Sequence, residues 1–195
     1  MRERTAKLIS GILNPFLLSA VVMVLLSFKD TPDTAYALKW AAIALVISVL
    51  PVLAAVTYLV RRKKLDAFYD NQRHQRHVVY VISSVLGAVG CGLMWGLNAP
   101  QLLAVTFTAG LVELIVFMGV NFYWKISLHT AFVAGTVMVL CLVYGAIAAW
   151  TIIFLPLVCW SRIELKQHSI LQVALGALLA GGIVTAIFAA FGLVG

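Results

Sequence analysis

The feature that most limits the fold of this chain is a run of 31 residues, 130–160, without a charged side chain. As one straight α-helix this run would be about 46 Å long, whereas the hydrocarbon core of a bilayer is about 30 Å thick. The run is therefore either one overlong helix or two short segments broken near Gly145. Only 11% of all residues are charged, compared with about 25% in soluble domains, so we predict an integral membrane protein.

The apolar segments define the expected architecture. A membrane-spanning helix needs about 20 mostly apolar residues, and candidate segments lie at 8–28, 39–60, 78–97, 102–123, 129–145, 147–161 and 169–193. We predict an all-α fold, a polytopic transmembrane bundle of six or seven helices in a single domain that covers residues 1–195. Pro15 and Pro51 lie inside the first two segments and are expected to mark kinks.

The distribution of basic residues favours seven helices over six. Cytoplasmic loops of membrane proteins carry an excess of lysine and arginine. With seven helices, twelve basic residues fall on one side of the membrane and two on the other, whereas with six helices the ratio is ten to four. The loop 61–77 and all four histidines then lie at the cytoplasmic face. Because the basic residues flank helices, the net charge of +7 indicates membrane lipids as partners and no nucleic acid.

Three polar stretches, 65–77, 121–130 and 161–172, are expected to converge at this face. Together they supply four cations, one hydroxyl and two imidazoles: Arg73, Arg76, Lys125, Arg162, Ser127, His129 and His168. This set suits a phosphate ester, because cations neutralise phosphoryl oxygens while one imidazole attacks phosphorus and the other protonates the leaving oxygen. Arginines can supply the electrophilic charge, so we predict metal-independent chemistry without a cofactor, with all seven side chains around one pocket.

Two of these stretches resemble signatures of the type 2 phosphatidic acid phosphatase superfamily, the membrane relatives of vanadium haloperoxidases. "SRIELKQH", 161–168, is similar to its third signature: serine, arginine, five residues, histidine. "ISLH", 126–129, is similar to its second, proline-serine-glycine-histidine. A short subgroup with "KIS-x-H", a "H-x-x-x-Q" ending and a stretch like residues 66–76 resembles the chain over most of its length, and implies a phosphatase-like fold.

The resemblance also implies roles for individual residues. In the family, the histidine of the third signature attacks phosphorus and becomes phosphohistidine, which would be His168 here. The histidine of the second signature is the general acid, which would be His129. Arg162 and Ser127 would then hold phosphate.

The chain departs from the family at several positions. Neither Arg73 nor Arg76 fits the first signature, which is lysine, six residues and arginine-proline, so their predicted role rests on charge and on the subgroup. Ile126 and Leu128 replace the proline and glycine of the second signature. Lys125 could supply the lysine charge that the first signature would have provided.

Gln172 replaces the aspartate of the third signature. It stands one helical turn beyond His168, where its carbonyl can accept the Nδ1 proton and fix the tautomer. A bond to a neutral group contributes about 0.5–1.5 kcal/mol and a bond to a charged group about 1.5–3 kcal/mol. We therefore expect a weaker nucleophile than beside aspartate, or a substrate with a better leaving group, such as a diphosphate.

The predicted function is hydrolysis of a lipid phosphate or polyprenyl diphosphate by a multi-pass enzyme of the cell membrane, with its active site at the cytoplasmic face. One alternative is a magnesium-dependent, prenyltransferase-like enzyme in which Asp66 and Asp70 hold the metal, although the chain lacks a second aspartate-rich motif. Another is a non-enzymatic binder or transporter of anionic lipids, which the missing signature residues favour. Glu113, in the middle of a membrane segment, could serve the structure or touch a headgroup. The sequence leaves the oligomeric state open.

Overall fold

The computed structural model describes residues 1–29, 31, 33–66 and 73–194, with the backbone only at positions 73 and 74. These residues form eight α-helices and one 3-10 helix, without a strand among them. The α-helices are α1 (Arg2–Ile12), α2 (Pro15–Lys29), α3 (Thr34–Arg61), α4 (Arg73–Gly96), α5 (Gln101–Tyr123), α6 (Leu128–Tyr144), α7 (Phe154–Glu164) and α8 (Ile170–Ala190), and the 3-10 helix is Gly145–Ile153. The predicted all-α class is confirmed.

Six helical stretches in the described part of the chain are long and apolar enough to cross a membrane. They are Arg2–Lys29, Thr34–Arg61, Gln75–Gly96, Gln101–Tyr123, Leu128–Glu164 and Ile170–Ala190. The chain is thus a multi-pass membrane protein, as predicted, and its membrane-spanning stretches number six by length and composition. The phosphatase-like arrangement of these helices stays a prediction.

The longest of these stretches is a hairpin and not a single rod. α6 ends before Gly145, whose φ of 63° lies in the left-handed region that glycine tolerates. Beyond it the chain folds back: Cys141 Sγ lies 3.9 Å from the carbonyl oxygen of Ala148, and Val137 and Val158 share one apolar cluster. The predicted break near Gly145 is confirmed.

The lengths of the two arms of this hairpin decide whether each could cross a bilayer. α6 is about 25 Å long at about 1.5 Å per residue. The return arm is about 35 Å long, because its first nine residues form a 3-10 helix that rises about 2.0 Å per residue. Both lengths approach the bilayer core of about 30 Å. Crossing by each arm, which gives seven crossings, stays a prediction.

The first predicted segment is divided at Pro15. α1 ends at Ile12, three residues earlier, and Asn14 Oδ1 accepts the N–H of Leu17 at 2.9 Å, which caps the start of α2. Proline suits the first turn of a helix because its missing N–H needs no partner there. The expected kink is therefore a complete helix boundary, whereas Pro51 stays inside α3.

One compact unit comprises Met1–Val22 and the chain from Ile126 onward. In it, α6 packs along α8, and α7 packs against α1, α6 and α8. α6 and α8 begin at the same end, where the N–H of Ser127 donates to the carbonyl oxygen of Gln172 at 3.4 Å. Further along, a Cβ placed on Gly181 would lie 3.5 Å from Met138 Cε. The two helices therefore run parallel.

The other compact unit is Met23–Lys125, in which α4 packs against α3 and α5. The three helices approach closely at Gly90, where a Cβ would lie 2.9 Å from Ile47 Cγ2 and 3.1 Å from Phe107 Cε1. A larger residue at this point would force the helices apart, which accounts for glycine there.

Candidate functional site

The link between α7 and α8 carries two of the predicted site residues on a defined turn. Lys166 takes a left-handed φ of 54°. Its N–H donates to the carbonyl oxygen of Ile163 at 2.9 Å, and the N–H of Gln167 donates to that of Arg162 at 3.1 Å. This pair of bonds is a Schellman motif, which ends α7. The N–H of His168 also donates to the carbonyl oxygen of Arg162, at 3.4 Å. The turn therefore holds the backbone of His168 next to that of Arg162.

A capping box then begins α8 and orients His168. Ser169 is the N-cap, and its Oγ accepts the N–H of Gln172 at 3.3 Å. In return, Gln172 Oε1 accepts the N–H of Ser169 at 3.2 Å. Because a backbone N–H can only donate, the atom that it meets must be the amide oxygen. The same Oε1 lies 3.1 Å from His168 Nδ1, and because this oxygen can only accept, Nδ1 donates its proton to it.

The start of α6 lies against the start of α8. Ser127 is the N-cap of α6, and its Oγ accepts the N–H of Thr130 at 3.4 Å and lies 2.9 Å from the Thr130 hydroxyl. Ser127 is completely buried and His129 is 3% exposed. The backbone contact between Ser127 and Gln172 brings the sequence around His129 to the end of the unit that holds His168.

Arg162 is buried at the same end, with 2% of its surface exposed. It lies on the last turn of α7, and its Nη1 donates to Ser10 Oγ of α1 at 2.8 Å. The neighbouring Ser161 donates from Oγ to the carbonyl oxygen of Ala6 at 2.7 Å. A guanidinium keeps its charge when buried and presents five N–H donors in one plane, so it is suited to bind a phosphate group.

Helix ends and one guanidinium place charges at this end, where α7 also ends and contributes about half an elementary negative charge from its C-terminus. Each helix N-terminus is equivalent to about half an elementary positive charge, and both α6 and α8 begin here. Arg162 adds a full charge. N–H groups at helix N-termini bind anions, and the two imidazoles of His129 and His168 are also buried at this end.

Five of the predicted site residues thus belong to one compact unit: Ser127, His129, Arg162, His168 and Gln172. Arg76 and Lys125 belong to the other unit, where Arg76 is buried and Lys125 half-buried. The side chain of Arg73 lies outside the described residues. The single pocket expected for all seven side chains therefore stays a prediction.

Of the two aspartates predicted as alternative metal ligands, the structure describes only one. Asp66 is exposed just beyond α3, and its N–H donates to Gln75 Oε1 at 3.4 Å, whereas Asp70 lies outside the described residues. Among the residues that are described, no group of three or more His, Cys, Asp or Glu side chains could hold a metal ion.

A buried carboxyl lies in the other unit, in the middle of α5. Glu113 is 7% exposed, and its Oε1 has no hydrogen-bond partner among the described residues. A carboxyl in a membrane segment is costly unless it is buried, paired or protonated, and Glu113 meets the first of these conditions.

Several contacts of the site were not predicted from the sequence. The capping box could have been found, because Ser-x-x-Gln at 169–172 is its signature. The contact of Ser10 could not, because it lies 152 positions from Arg162 and on a separate helix.

Comparison with known proteins identifies no relative: no protein-family model, curated protein or solved structure matches the chain.

Proposed function

We propose that this protein hydrolyses a lipid phosphate or polyprenyl diphosphate through a phosphohistidine intermediate. The observation that carries the proposal is the bond of His168 Nδ1 to the oxygen of Gln172, whose orientation the capping box fixes. This arrangement leaves Nε2 as the nucleophilic atom, on a ring held next to the backbone of a buried arginine.

The proposed reaction has two steps. Nε2 of His168 attacks phosphorus, the bond from phosphorus to the leaving oxygen breaks, and protonated His129 gives its proton to that oxygen. A water molecule then attacks phosphorus, neutral His129 takes a proton from this water, the bond from phosphorus to Nε2 breaks with its electron pair returning to Nε2, and inorganic phosphate leaves. Arg162 and the N–H groups at the starts of α6 and α8 neutralise the phosphoryl oxygens in both steps.

The identity of Gln172 favours a diphosphate substrate. A carboxylate would stabilise the positive charge that His168 acquires on attack, whereas an amide offers only a neutral acceptor. Weaker stabilisation of the nucleophile matters less when the leaving group departs easily, and a phosphate leaves more easily than an alkoxide. The sequence resemblance to the phosphatase superfamily, in the signatures around His129 and His168, supports the same reaction class.

Phosphate release from purified protein, with a panel of lipid monophosphates and polyprenyl diphosphates, tests the proposal. His168→Ala should abolish release. His77→Ala is the matched control: this histidine lies in the other unit and its ring stacks on Phe122 with centroids 4.2 Å apart, so turnover should persist. A well-folded His168→Ala variant with wild-type turnover on every substrate would contradict the mechanism.

The two alternatives predict different outcomes of the same assay. For the prenyltransferase-like enzyme, EDTA should abolish turnover and magnesium should restore it, whereas we expect turnover to persist in EDTA. A non-enzymatic binder should retain lipid phosphates without releasing phosphate from any of them. The proposed cytoplasmic position of the site can be tested by labelling single cysteines at residues 165 and 166 with a membrane-impermeant reagent.

A further inference from the structure

The N-terminal helix α1 packs against α7 beside the candidate site through a face of small residues. Ala6 and Ser10, one helical turn apart, are its buried residues, and Ser10 is 9% exposed. The absence of a long side chain at position 6 lets the two helices approach closely. Two consecutive residues of α7, Ser161 and Arg162, bind this face through buried hydrogen bonds.

These two hydrogen bonds hold different parts of α7. Ser161 donates to a backbone oxygen of α1, so its bond fixes one helix against the other. Arg162 donates to Ser10 through Nη1, so this bond fixes the plane of the guanidinium at the far end of a long side chain. A guanidinium binds phosphate through N–H groups in a fixed plane, and the strength of binding depends on the orientation of that plane.

We propose that Ser10 is a positioning residue, which orients Arg162 towards bound phosphate, so that α1 forms part of the anion site. This inference rests on the proposed role of Arg162 as a phosphate ligand. It assigns a function to a residue in the N-terminal helix, far in sequence from both phosphatase-like signatures. The oxygen of Ser10 accepts from Arg162, so a hydroxyl at this position is the required group.

The test measures the affinity of the full chain for inorganic phosphate by calorimetry, together with kcat and KM for the best lipid phosphate. Ser10→Ala should weaken phosphate binding roughly tenfold, because the Arg162 guanidinium loses the hydrogen bond that orients it and bonds to charged groups are strong. The substitution should also raise KM more than it lowers kcat. Ser10→Thr, which keeps the hydroxyl, should restore both. Ser161→Ala is the matched control, because it removes the other α1–α7 bond and should lower thermal stability without weakening phosphate binding.

The outcomes separate this inference from the proposed function. If Ser10→Ala weakens phosphate binding but the wild-type protein shows no turnover, the proposed phosphatase activity is rejected and the positioning role of Ser10 is kept. Normal phosphate affinity and KM in Ser10→Ala would reject the positioning role alone. Equal losses of phosphate affinity in Ser10→Ala and Ser161→Ala would also reject it, because docking of α1 would then be the only effect. A wild-type protein that neither binds phosphate nor turns over would overturn both.

Discussion

Gly176 marks a close approach of α8 to the start of α6, and its replacement by alanine tests the packing that carries the site. A Cβ at position 176 would lie 2.9 Å from the carbonyl oxygen of Ser127, 3.6 Å from Ile126 Cγ1 and 3.7 Å from the N of Ala131. The nearest of these atoms belongs to the backbone and cannot rotate away. To restore an ordinary contact distance, the start of α6 must move from α8 by about half an ångström.

The expected magnitude follows from two opposing effects. Overpacking of a well-packed contact typically costs about 1–3 kcal/mol, while alanine in place of glycine inside a helix stabilises it by about 0.5–1 kcal/mol. We expect Gly176→Ala to lower the free energy of unfolding by about 0.5–2 kcal/mol. For a chain of this size, about 2–4 °C of Tm corresponds to 1 kcal/mol, so Tm should fall by about 1–8 °C.

Thermal unfolding in detergent, followed by tryptophan fluorescence, measures this change, with Gly182→Ala as the matched control. Gly182 lies in the same helix, but no atom would meet a Cβ there within 4 Å. Its replacement should leave Tm unchanged or raise it slightly. Equal Tm values for the two variants would refute the described contact of α8 with the start of α6. Because the contact also fixes His129 relative to His168, Gly176→Ala should lose phosphate release beyond its loss of folded protein.

Three further predictions concern side chains of the site and its turn. Gln172→Leu removes the oxygen that accepts from both His168 and Ser169, so it should lower turnover and should lower the free energy of unfolding by about 1 kcal/mol. Gln172→Glu keeps both bonds and should turn over at least as fast as wild type. A Glu variant slower than the Leu variant would contradict this. Lys166→Gly should raise stability by about 1 kcal/mol, because glycine adopts the left-handed conformation without the steric cost that lysine carries; a lower Tm would show that the Lys166 side chain matters more than its backbone. His129→Ala should slow cleavage of a lipid monophosphate by about 10²–10⁴-fold and that of a diphosphate less, since an alkoxide needs the proton more; equal losses on both substrates would exclude it as the general acid.

Most membrane helices could be predicted because a bilayer demands long apolar segments, and the sequence shows them directly. Their ends were less predictable, since polar residues extend several helices beyond the apolar core. α3, for example, begins at Thr34 and not at 39, because the Asp33 side chain accepts the N–H of Ala35 at 2.9 Å and caps the helix. Residues 2–7 of α1 were missed because their charged side chains lower the hydropathy below that of a membrane segment, although α1 packs against α7.

The candidate site could be predicted only in part, because sequence shows residue identity and local spacing but not distant contacts. His168 and Gln172 lie four apart, which suggested their contact, but His168 precedes the N-cap of α8, so the bond depends on the capping box and not on helical spacing. Two other contacts join separate helices, and no local sequence pattern predicts them: that of Ser127 with Gln172 and that of Ser10 with Arg162. The 3-10 form of residues 145–153 also has no local signal, since its sequence is as apolar as the helices on both sides.

The spacing of the stretch 161–172 follows from the requirements of two helix ends, and this determines which residues carry the functional argument. The Schellman motif requires a residue that tolerates the left-handed conformation at 166, and the capping box requires a hydroxyl at 169 and an amide or carboxyl at 172. Neither motif requires an arginine at 162 or a histidine at 168. Both side chains are nevertheless buried, with 2% and 7% of their surfaces exposed, although burial of polar groups is costly. Apolar residues at both positions would satisfy the helix ends equally well. The chemistry of the proposed reaction therefore rests on Arg162 and His168. Substitution of Arg162 should remove phosphate binding, and substitution of His168 should abolish turnover while phosphate binding persists, with the helix junction still folded in both variants.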